Sequence, residues 1–125
     1  MRALLGLLVA CALAWPGKAT ALAVPEFYQP LMALFWQPEQ VPTLVRIIGC
    51  ESGWDRFAVE PTSGAAGLTQ VMPGTWEDAR VRLGSVAAPF HEGWHNPAQQ
   101  LYTARVLYEE RGWGPWEASR FCWEQ

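Results

Sequence analysis

Glu51 is the residue whose type and placement could do chemistry. Leu44, Ile48 and Glu51 stand at i, i+4 and i+7, so the carboxylate shares the apolar face of a helix expected from Pro42 to about Ser52. It also falls in the last turn, where the helix dipole presents its negative end. Desolvation and that dipole both disfavour the ionised form and raise the pKa. A carboxylic acid that keeps its proton near neutral pH suits a reaction in which a leaving oxygen must be protonated, as in glycosidic cleavage. Periodicity alone also permits a plainer reading, in which the stripe ends in Glu because the helix emerges there into water.

Two other constellations compete for attention. His91-Glu92-Gly93-Trp94-His95 satisfies the H-E-x-x-H pattern of zinc proteases. That chemistry needs both imidazoles on one helical face and a third ligand. Here Pro89 precedes the segment, Gly93 interrupts it and Asn96-Pro97 closes it, so a chance match in a loop is expected and no metal or other cofactor is assigned. Cys50 lies next to Glu51, but no well-placed histidine accompanies it as a catalytic thiol would require. Of the carboxylates near Glu51 in sequence, Asp55 lies beyond Gly53 and should turn away with the loop. Glu60, followed by Pro61, reads as a loop-surface charge.

The elements that must position these residues read as helix after helix. Pro25 to Trp36 is expected to be helical, ending before Pro38. Pro42 suits a first turn, Val41, Leu44, Val45 and Ile48 form one apolar stripe, and Gly53 stops the helix. Residues 54–72 form a loop or small hairpin, rich in turn formers (Glu60-Pro61-Thr62-Ser63-Gly64). Thr75 is expected to cap the next helix, with Asp78 completing a capping box and Trp76, Ala79 and Leu83 facing inward. Residues 84–95 read as irregular. Asn96-Pro97 opens a long helix to about Arg111, with Leu101, Ala104 and Tyr108 on one side and Gly112 at its end, and a last short turn carries Trp116 to Trp123. The fold class is mostly α, with at most a short β-hairpin.

Composition bounds the setting. Arg2, an apolar run over residues 3–14 and Ala21-Leu22-Ala23 follow the order of a secretory signal peptide, so residues 1–23 are read as a leader and 24–125 as the domain. Leu8-Val9-Ala10-Cys11 offers a lipobox as the minor alternative, although Cys11 lies inside the apolar run. Either way the domain is exported, to the periplasm or beyond the cell, and no membrane span is expected. Without the leader, seven arginines face twelve carboxylates, a net charge of −5, and no lysine remains. Such a chain is a poor nucleic-acid binder. Export also favours a disulfide between Cys50 and Cys122, the two cysteines outside the leader. Seven of the eight tryptophans lie in the domain, too many for so small a core to bury completely, so some should border a cleft.

Cys50-Glu51-Ser52-Gly53-Trp54, followed by Gly64-Ala65-Ala66-Gly67-Leu68-Thr69-Gln70-Val71-Met72-Pro73, resembles the signature of the soluble lytic transglycosylase (SLT) family. The similarity resumes at Asn96-Pro97 through Tyr108 and ends with Gly112-Trp113-Gly114-Pro115-Trp116. It implies a lysozyme-like fold and peptidoglycan glycan strands as substrate. By the same resemblance, Glu51 matches the single catalytic Glu, and Ser52 the Ser that helps hold that acid or the sugar. Gln70 matches the Gln that lines the sugar groove together with the backbone of Gly67 to Met72. Tyr108 matches a Tyr whose hydroxyl reaches toward the carboxylate. Gln100 stands where the family usually has Asn, and its longer amide is expected to bond in the groove. Plainer readings stand beside these: Gln70 as a loop brace, Tyr108 as core, Gly64 and Gly67 as turn formers.

The resemblance also implies a mechanism. Hydrolysing glycosidases place a second carboxylate at a set distance from the acid. The SLT family instead uses the substrate's N-acetyl group, and the sugar's 6-hydroxyl closes a 1,6-anhydro ring. Non-hydrolytic cleavage is the preferred reading, with a hydrolytic lysozyme and an inactive glycan-binding module as alternatives. A partner in cell-envelope machinery is compatible with the chain but is not identified by it.

Overall fold

Prolines sit in the first turn of every long helix, where the missing N–H costs nothing and the fixed φ suits the helix. The structure, a computed structural model, describes residues 24–125. The leader reading of residues 1–23 and the Cys11 alternative lie outside the described residues. The helices are α1 (Gln29–Phe35), α2 (Val41–Glu51), α3 (Pro73–Arg82), α4 (Phe90–Gly93), α5 (Pro97–Arg111) and α6 (Arg120–Trp123), with 3-10 turns at Glu26–Tyr28 and Gly114–Ser119. Among the described residues no strand forms, and single bridges pair Val59 with Ala66 and Ala66 with Val71. This is the mostly α architecture expected, with a vestige of the hairpin.

The core is built from the stripes of α2 and α5. Leu44, Val45, Ile47 and Ile48 of α2 and Leu101, Ala104 and Leu107 of α5 are buried, together with Trp36, Trp76, Trp116 and Trp123. Each fully buried Leu or Ile contributes about 2 kcal/mol by area. Trp54, Trp94 and Trp113 keep part of their surface in solvent. α6 and the 3-10 turn before it pack against α2, and α5 packs against α1 and α3. Cys50 and Cys122 are disulfide-bonded, their Cα atoms 6.1 Å apart. Closing a loop across 72 residues is worth roughly 4 kcal/mol in the chain-entropy account.

Two local expectations are corrected. Thr75 does not cap α3: the helix starts at Pro73, and Met72 occupies the cap position without a side-chain bond. Pro73 already supplies a first-turn residue that needs no N–H partner, so the cap moves three residues upstream, from Thr75 to Met72. Asp78 goes to Arg82 instead of a capping box. Residues 84–95 are not wholly irregular, because Phe90–Gly93 makes one helical turn. Glu77 of α3 caps that turn from outside, accepting from Phe90 N at 2.7 Å, while the Phe90 ring packs edge-on against Trp76. Tertiary contacts thus make a helix of a segment with little helical pattern of its own.

Candidate active site

Glu51 is the last residue of α2 and is partly buried, as its place on the Ile48 stripe requires. The helix stops abruptly after it. The backbone N–H groups of Ser52 and Gly53 both turn back to Ile48 O, and Gly53 adopts φ +60°, a conformation that favours glycine. Trp54 follows with φ 71° and stacks its ring on Tyr28 at 5.4 Å. Burial pushes the Glu51 carboxyl above the usual carboxylate range, and a hydrogen bond from Ser119 partly opposes the rise. Ser119 Oγ donates to Glu51 Oε2 at 2.6 Å.

Three stretches of chain converge on this helix end. Ser52 Oγ lies 2.8 Å from Leu68 O and 3.3 Å from Ile48 O, so its hydroxyl ties the helix end to the Gly64–Met72 loop. Trp116 Nε1 donates to Thr69 O at 2.9 Å, which fastens the same loop to the C-terminal segment. Trp123 Nε1 in turn donates to Trp116 O at 3.0 Å. Gln70 has φ 54°, and its Nε2 lies 3.1 Å from both Ala58 O and Gly67 O, which makes it a brace across the hairpin-like segment. Met72 is exposed at the loop's end, and a small cavity of about 50 Å³ opens beside it, lined by Gln70, Val71, Thr75, Leu107, Pro115 and Trp116.

Gln100, the candidate groove residue on α5, has its amide engaged by the protein's own backbone. The side chain is 1% exposed. Its Oε1 accepts from Leu68 N at 3.0 Å, and its Nε2 donates to Arg56 O at 2.9 Å and Trp94 O at 2.5 Å. Every one of these bonds goes to backbone, so the amide organises the loop from beneath. A Cβ at Gly67 would lie 2.5 Å from that amide, which is the steric reason for glycine there.

Tyr108 is partly buried, its ring 4.5 Å from Trp113 and 5.5 Å from Trp36. Among the described residues, the hydrogen bond that Glu51 accepts comes from Ser119, not from the Tyr108 hydroxyl. Ser119 is the site residue that sequence patterns miss, since 68 positions separate it from Glu51. A signal was nonetheless present: the Cys50–Cys122 pairing brings the turn before Cys122 next to the residue after Cys50.

The remaining candidates are spoken for. Asp55 is exposed and accepts from Phe57 N at 2.9 Å within its own turn. Glu60 is exposed and accepts from Ser63 N at 2.6 Å, and that backbone bond holds its carboxyl below the usual range. His91 lies 3.4 Å from Glu92, while His95, outside α4, stacks on Phe57. No three His, Cys, Asp or Glu side chains converge among the described residues as a metal ion would require. An apolar recess of about 490 Å³ between α1 and the start of α2 includes none of the site residues. No helix among the described residues is long and apolar enough to cross a membrane.

The arrangement is a partly desolvated carboxyl beside a loop whose carbonyls are tied from behind, and among the described residues no cation and no second carboxylate is bonded to it. Chemically it can hold a proton, deliver it to an oxygen and take one back. A family model described as the transglycosylase SLT domain matches residues 37–109, more than half of the chain. No curated protein and no solved structure matches it.

Proposed function

Because the chain belongs to the transglycosylase SLT domain family, a lysozyme-like and peptidoglycan-acting group, we propose that it is an exported lytic transglycosylase with Glu51 as general acid and base. It cleaves the β-1,4 bond between N-acetylmuramic acid and N-acetylglucosamine. The observation that carries this reading is the Glu51 carboxyl itself: of the carboxyls whose proton affinity the fold clearly alters, it is the one raised.

Glu51 gives its proton to the glycosidic oxygen as that bond breaks, and the substrate's own N-acetyl group stabilises the developing cation. The sugar's 6-hydroxyl then attacks the anomeric carbon and returns its proton to Glu51, leaving a 1,6-anhydro end. Asp55 and Glu60 support this route over hydrolysis, because each is exposed and engaged with the backbone of its own loop. Ser52, Gln70 and Met72 belong to the groove in this reading. Ser52 and Gln70 act mainly by shaping the loop, since the bonds they make are to backbone carbonyls. The disulfide suits an oxidising compartment and so supports export, with residues 1–23 as the leader.

Mass spectrometry of the soluble products from purified peptidoglycan, with the wild type beside Glu51→Gln, tests the reading. Anhydromuropeptides from the wild type alone are expected. Reducing-end muramic acid without anhydro product would make the protein a lysozyme. No release by either protein, with wall binding intact, would make it a binding module.

A further inference from the structure

Ser119 has one hydroxyl hydrogen and two acceptors in reach. Its Oγ lies 2.6 Å from Glu51 Oε2 and 3.2 Å from Trp116 O. The shorter contact has the length of a charge-assisted O–H···O⁻ bond, and it takes the hydrogen. No other hydrogen bond in the described residues acts on the carboxyl, so Oε1 is the oxygen without a protein donor. The hydroxyl is held in place from both sides. Ser119 closes the Gly114–Ser119 turn, Trp116 within that turn is bonded to the Thr69 carbonyl, and Cys122 is joined to Cys50 next to Glu51.

We propose that Ser119 is a positioning residue that assigns the working proton of Glu51 to Oε1. The proposal rests on the reading of Glu51 as acid and base. Ser119 donates to Oε2 in both protonation states. With one lone pair of Oε2 engaged, the carboxyl hydrogen resides on Oε1, from which it passes to the glycosidic oxygen as the C–O bond breaks. The same Oε1 accepts the proton of the attacking 6-hydroxyl as the new C–O bond forms. The Ser119 hydrogen is consumed in neither step. Its bond is stronger to the carboxylate than to the acid, so it also tempers the effect of burial and keeps the proton releasable.

The surroundings make Glu51 the group that a pH profile would read. On its own helix, Arg46 donates to Trp123 O, and on the C-terminal segments Glu117, Arg120 and Glu124 pair with one another at the surface. The Gly64–Met72 loop carries no charged side chain. The Tyr108 phenol on α5 makes no bond to the carboxyl.

The test is peptidoglycan solubilisation across pH by the full protein and by Ser119→Ala, Ser119→Thr and Glu51→Gln, with the Glu51 carboxyl of the first three titrated by carbon-13 NMR. Loss of the bond raises the carboxyl's affinity for its proton. In Ser119→Ala the alkaline limb of the profile and the NMR titration should therefore both move upward, by about one pH unit. The best rate should fall roughly tenfold, and Ser119→Thr should restore all three. A Ser119→Ala protein with a reduced rate but an unmoved limb and titration would show a merely structural role and overturn the proposal. That result beside an inactive Glu51→Gln would overturn it alone. Activity retained in Glu51→Gln would overturn the reading of Glu51 as well.

Discussion

Where α3 meets α5, Arg82 grips two carboxylates at once, Asp78 at 2.8 Å and Glu110 at 2.6 Å, and all three side chains are substantially in solvent. At the end of α2, Glu51 is partly buried and, among the described residues, has no cation partner and accepts one bond from a neutral hydroxyl. The Arg82 guanidinium holds the first pair below the usual carboxylate range, whereas desolvation holds Glu51 above it. Arginine thus pairs with carboxylates that stay ionised, while the carboxyl proposed to exchange a proton has desolvation as the main influence on it.

Several substitutions would break or sharpen that contrast. Replacing Cys50 and Cys122 by alanine should cost the most, roughly 4 kcal/mol by urea unfolding. It should also loosen the Ser119 segment from Glu51 while leaving the Arg82 cluster in place. Gln100→Ala comes next, at about 3 kcal/mol, because Leu68 N and two carbonyls lose their buried partner. Gly67→Ala should also destabilise, since its Cβ meets that amide at φ +84°. The two changes together should cost less than their sum, as the double-mutant cycle would show.

Smaller effects follow from charge. A carboxyl with a raised native pKa binds its proton more tightly when folded, so its contribution to stability is lost as pH rises from the free-glutamate value of about 4.3 through the native pKa. Glu51→Gln removes that loss. The variant should be more stable than wild type at pH 7, with the gap closing as the pH of thermal unfolding falls below about 4. Arg82→Ala should cost the least stability of these changes, with the effect shrinking in high salt and wall solubilisation unchanged.

Much of this was legible in the sequence, for reasons that can be named. The α2 stripe and the prolines and glycine around it set the helix and its end, and with them the half-buried position of Glu51. Asn96 caps α5 as its side chain suggests, accepting from Gln99 N at 3.1 Å. What escaped was set by contacts across the chain. Gln100 sits on the buried face of α5, where three backbone groups far apart in sequence meet its amide, and a motif position says nothing of that depth. The turn at Phe90–Gly93 owes its start to Glu77, and Ser119 reaches Glu51 because a disulfide and two indoles fold the C-terminal segment back.

The most direct test neutralises one carboxyl from each region without changing its shape. Release of soluble fragments from purified peptidoglycan should be measured for wild type, Glu51→Gln and Asp78→Asn, with circular dichroism confirming the fold. The account predicts that Glu51→Gln loses at least about 100-fold in rate while Asp78→Asn matches wild type. A Glu51→Gln protein that solubilises the wall at nearly the wild-type rate would contradict it.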